Sequence, residues 1–60
     1  MISIGTKIEI LPRYTGDGEE VDSYGHCAGW VRGICPDGDL LIELQGTGEE
    51  VYVSARRVRV

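Results

Sequence analysis

No apolar run in this sequence approaches the roughly 18 residues needed to span a bilayer as a helix. The first residues, Met1-Ile2-Ser3-Ile4, carry neither a basic flank nor a long apolar stretch, so no secretory leader is expected. Proline is scarce, at two residues, which argues against an extended, disordered chain. No segment shows the apolar period of a helix, which removes coiled coils and helical bundles. Histidine occurs once and cysteine twice, too few for the paired short spacings of a structural zinc site. Sixty residues exclude a large catalytic domain or tandem domains, so residues 1–60 are read as one domain. What remains is 42% hydrophobic and 27% charged, a composition that folds.

Basic residues are also few. Six stand against ten acids, for a net charge of −4. Residues 1–50 hold only Lys7, Arg13 and Arg32 against all ten acids, whereas residues 51–60 hold Arg56, Arg57 and Arg59 and no acid. An acidic chain repels a polyphosphate at long range, which disfavours general nucleic-acid binding. The arginine cluster could still grip a single phosphate or carboxylate. Its plainer role is to offset acids on a neighbouring strand or loop. If residues 28–34 form one strand, Cys27 and Cys35 lie roughly 25 Å apart, far beyond disulfide reach. Two free thiols and a reducing, cytoplasmic compartment are the expectation.

Ile8 and Ile10 alternate with Lys7 and Glu9 in a first strand that Pro12 ends. Residues 13–27 have almost no apolar period and form a loop longer than most connections. Ala28–Cys35 reads as a second strand. Gly33 within it points to a bulge that turns Val31 and Ile34 inward and Trp30 and Arg32 outward. Pro36-Asp37-Gly38-Asp39 is a turn. Leu40, Ile42 and Leu44 mark the core face of a third strand. Gln45-Gly46-Thr47-Gly48 turns into a fourth, Glu49–Val53, with Val51 and Val53 inward. Ser54 caps one helical turn, Ser54–Arg57, before a closing strand at Val58–Val60 with which Met1–Ile4 are expected to pair. A sheet this short must curl to bury its one apolar face and protect its edges. The expected fold is all-β: a five-stranded SH3-like barrel with one long loop after the first strand and a single helical turn before the last. So small a core leaves stability marginal, which favours self-association or a covering partner.

Gly29-Trp30-Val31-Arg32-Gly33-Ile34, Asp37-Gly38-Asp39-Leu40-Leu41-Ile42 and Val51-Tyr52-Val53-Ser54-Ala55-Arg56-Arg57-Val58, with Gly5–Leu11 upstream, resemble the C-terminal SH3-like domain of bacterial biotin protein ligases. The resemblance implies the barrel and not ligation, because these residues hold no glycine-rich biotin loop. A weaker resemblance is to the plasmid-borne, trimethoprim-insensitive dihydrofolate reductases. These are also SH3-like chains and assemble as tetramers around one active pore. Their Val-Gln-Ile-Tyr strand corresponds to Glu49-Glu50-Val51-Tyr52, and Glu50 replaces the amide. Four carboxylates would then face one pore beside an anionic cofactor, against the activity. Tudor-like and KOW-like modules share the same barrel.

Catalysis needs a nucleophile with a base, a carboxylate pair in a pocket, or a metal. His26 and Cys27 are neighbours on an extended segment and point apart. Asp17, Glu19, Glu20 and Asp22 lack the spacing of a calcium loop. No catalytic residue, metal or cofactor is therefore assigned. Tyr14, Tyr24, Trp30 and Tyr52 are the candidate contact residues, with Asp17, Glu19 and Glu20 beside them. Aromatics on one groove of such a barrel accept proline-rich or cationic segments. They also serve simply to cap the open barrel ends. The reading is a non-enzymatic interaction module for a basic or extended protein segment, with no membrane role. The alternatives are a homo-oligomeric pore enzyme of the reductase type, and an anion or nucleic-acid module using Arg56, Arg57 and Arg59.

Overall fold

A computed structural model describes residues 2–60. The order of elements is β1 (Lys7–Ile10), β2 (Ala28–Ile34), β3 (Asp39–Leu44), β4 (Glu50–Ser54), a 3₁₀ turn (Ala55–Arg57) and β5 (Val58–Arg59). All five strands belong to one antiparallel sheet in the order β4-β3-β2-β1-β5. Among the described residues there is no α-helix, and no helix long and apolar enough to cross a membrane.

Period-two alternation sets the core. Ile8 and Ile10 of β1, Val31 of β2, Leu40, Ile42 and Leu44 of β3, and Val51 and Val53 of β4 are all buried. They occupy one face of the sheet, and Ile10, Val31 and Ile42 are completely enclosed. A flat sheet of this size leaves such a face wet, so the sheet bends around a single core. Ile2, Tyr24, Cys27 and Val58 pack against its margins. The edge strands β4 and β5 follow one another through the 3₁₀ turn but are not paired together. Ser54 Oγ accepts the Arg56 N–H at 3.3 Å and caps that turn.

The register of β2 against β3 shifts between Val31 and Gly33, so the bulge lies where the glycine indicated. Ile34 differs from expectation. The bulge aligns it with Leu40, in a row where Leu40 and Val53 are buried, but at the end of β2 it stays 54% exposed. The expected pairing of residues 1–4 with the last strand is also corrected. Met1 lies outside the described residues, Ile2–Ile4 form no strand, and β5 pairs with β1. The chain before β1 is held instead by β2: the Gly5 N–H donates to the Val31 carbonyl and the Val31 N–H donates to the Thr6 carbonyl. Cys27 and Cys35 are free thiols flanking β2 at its two ends.

Candidate functional site

Residues that alternate with the core line the outer face of the sheet. Register aligns Lys7, Trp30, Glu43 and Glu50 in one row across β1, β2, β3 and β4. The next row holds Gly33, Leu41 and Tyr52. Lys7 Nζ stands 5.9 Å from the Trp30 ring centroid, within cation–π range. Arg32, the extra residue of the bulge, donates from Nε to Glu43 Oε1 at 2.9 Å. Tyr52 is 69% exposed and Trp30 half-buried. They lie two strands and one row apart, about 12 Å on the diagonal, with Leu41 and Glu43 of β3 between them. Because Gly33 has no side chain, the Leu41 side of this trough stays open. The result is a shallow apolar strip bounded by two aromatic rings and edged by Glu43 and Glu50.

The long loop is partly a hairpin. Tyr14 bridges Glu20, the Val21 N–H donates to the Arg13 carbonyl, and the Thr15 N–H donates to the Glu19 carbonyl. Tyr14, Asp17, Glu19 and Glu20 are all exposed on it. No hydrogen bond or ion pair among the described residues ties them to Trp30 or Tyr52. Tyr24 is half-buried against the core. Of the four aromatics, then, the structure brings Trp30 and Tyr52 onto one face and leaves Tyr14 on the loop. Glu50, which replaces the amide of the reductase strand, belongs to the same face, as do Lys7, Leu41 and Glu43, which the sequence alone does not mark. The alternation that made Leu40, Ile42 and Leu44 core already turned Leu41 and Glu43 outward; only the register was missing.

The three C-terminal arginines have separate fates. Arg57 Nη1 donates to Asp22 Oδ2 at 2.7 Å and Nη2 to Oδ1 at 3.3 Å. Its Nε and Nη2 also reach the Leu11 carbonyl. The guanidinium, with the Tyr24 N–H, holds the Asp22 carboxyl below its usual range, and Asp22 in turn raises Arg57. Arg59 Nη2 donates to Glu9 Oε1 at 2.6 Å. Arg56 makes no ion pair among the described residues.

Glu9 lies in an open cleft of about 450 Å³ lined also by Lys7, His26, Ala28 and Arg59. The hydrogen bond from Arg59, then the one from His26, lowers the Glu9 pKa, so this carboxylate stays ionised and serves as an anchor for its neighbours. His26 Nδ1 is 3.5 Å from Glu9 Oε2, and its side chain is 70% exposed. Among the described residues no three His, Cys, Asp or Glu side chains converge as metal ligands. No family model, curated protein or solved structure matches the chain.

Proposed function

We propose that this chain is a small, non-enzymatic interaction module of the SH3-like barrel type, and that it receives an extended basic protein segment on the outer face of β2, β3 and β4. The observation that carries the reading is the strip of half-buried Trp30 and Leu41 and exposed Tyr52 on the outer face, edged by Glu43 and Glu50. Flat rings supply contact area at small entropic cost, and carboxylates at the rim select positive charge. The exposed acids of the loop, Asp17, Glu19 and Glu20, add long-range attraction for the same class of ligand. The strand order, the bent sheet and the single 3₁₀ turn before β5 support the barrel.

The reading is tested on an array of extended peptides of equal length, some rich in arginine and lysine and some in acids, measured by calorimetry. Basic peptides bind and weaken as salt rises. Trp30→Ala and Tyr52→Ala each reduce that binding by about tenfold or more while the circular dichroism of the sheet is retained. Equal affinity for acidic and basic peptides, or variants that bind as the parent does, would refute it.

A further inference from the structure

β4 is a free edge of the sheet. Hydrogen bonds at its two ends establish which of its groups face outward. The Leu44 N–H donates to the Glu49 carbonyl at 2.8 Å, and the Ala55 N–H donates to the Gly38 carbonyl at 3.1 Å. Bonded and non-bonded pairs alternate along an antiparallel ladder. Val51 and Val53, opposite Ile42 and Leu40, are therefore the pairs bonded to β3. The main chain of Glu50, Tyr52 and Ser54 points away from the sheet, and among the described residues no turn, loop or cap hydrogen bond takes up the Tyr52 N–H or carbonyl.

Soluble proteins blunt such edges with short strands, lysine, proline or a bulge. The opposite edge, β5, is only two residues long. β4 has five residues, with no proline, lysine or bulge. Its ends carry opposite charge. Glu49 and Glu50 stand at the start, and Arg56, whose guanidinium has no acidic partner among the described residues, follows the end.

We infer that β4 pairs antiparallel with β4 of a second copy of this chain, about a two-fold axis at Tyr52. Each Tyr52 then exchanges both main-chain hydrogen bonds with its counterpart, and the Ser54 N–H meets the Glu50 carbonyl of the second copy. Arg56 of each copy comes beside Glu49 and Glu50 of the other, so both charged ends are neutralised at once. A parallel arrangement would set acid against acid. A foreign basic strand would satisfy the acids and leave Arg56 facing like charge. The two exposed Tyr52 rings become a cross-strand aromatic pair, and the outer faces of the copies join into one platform. This pairing uses main-chain groups at the edge, whereas the peptide reading uses side chains on the face, and either stands without the other.

Sedimentation equilibrium between about 10 µM and about 1 mM is the test, since a ladder this short gives a small interface. The parent chain shows a monomer–dimer equilibrium in that range. Tyr52→Pro removes an N–H that β3 does not use, so the sheet's circular dichroism persists while dimerisation weakens by about tenfold or more. Arg56→Glu, at an exposed side chain with no ion-pair partner among the described residues, weakens it by about fivefold to tenfold, and adding Glu50→Arg restores it. A parent that stays monomeric to about 1 mM overturns the inference. So does a dimer indifferent to Arg56→Glu, which decides the matter even if the proline variant unfolds.

Discussion

Gly29→Ala is expected to destabilise the fold by about 3 kcal/mol, lowering the melting temperature by roughly 10–20 °C. A Cβ at this position would stand 2.5 Å from the Glu43 carbonyl oxygen and 2.8 Å from Ile42 Cγ2. Neither neighbour can retreat. The carbonyl belongs to β3, where Glu43 stands between β2 and β4, and Ile42 is fully enclosed in the core. The two central strands must separate to admit the methyl group. A domain of this length has a total stability of only about 3–9 kcal/mol, so one methyl group removes a third or more of it. Gly29→Val, with more bulk on the same vector, is expected to abolish the cooperative thermal transition. Gly33→Ala is the control. There a Cβ meets Leu41 Cβ at 3.5 Å, an ordinary contact, and the backbone is not in the left-handed region. Its melting temperature should stay within about 3 °C of the parent, because reduced freedom of the unfolded chain offsets any small crowding. Thermal melts of the three variants give the comparison, and equal effects at the two glycines would show that the approach of β2 to β3 is not what requires Gly29.

The two glycines also mark how far the sequence could be read. Gly33 is visible as a bulge signal because it interrupts an alternating strand, and the bulge is there. Gly29 carries no such signal, since the demand for a bare Cα comes from Glu43 and Ile42, which reach it only through pairing. The same division holds elsewhere. Leu40, Ile42 and Leu44, and likewise Val51 and Val53, declare their face because each strand carries its own period. The Ser54 cap is legible because it bonds two residues away. Ile34 misleads because exposure at a strand's end depends on what lies beyond it. Trp30 and Tyr52 could be named as aromatics, but their shared face with Leu41 depends on the register of three strands. Tyr24 is packed against the core by a loop whose course no local rule determines.

The loop's course depends in large part on one guanidinium, and its removal is the second large effect. Arg57→Ala is expected to cost about 3 kcal/mol, or roughly 15 °C in melting temperature. The side chain is only 15% exposed and gathers Asp22 from the loop and the Leu11 carbonyl from the end of β1. The Leu11 N–H donates back to the Arg57 carbonyl at 2.6 Å, so the side chain and main chain of one residue clasp the root of the loop. Truncation leaves Asp22, 28% exposed, holding only the Tyr24 N–H at 3.0 Å. Arg57→Lys should recover less than half of the loss, because one ammonium cannot serve the carboxylate and the carbonyl in the same fork geometry. The contribution depends on pH in a determined direction. Asp22 has a pKa lowered in the fold, first by the Arg57 hydrogen bond and then by the Tyr24 N–H. Its stabilisation is complete above the ordinary carboxylate value, from about pH 5 upward, and is lost as pH falls through the lowered folded value. The stability gap between parent and Asp22→Asn should therefore be widest at neutral pH, narrow as pH falls below about 4, and close only once pH has dropped below the lowered folded value. Urea unfolding of the pair across that range reads the gap directly. A gap unchanged with acidification would mean that the carboxylate's charge does not hold the loop, and that the hydrogen bonds to Leu11 carry the clasp alone.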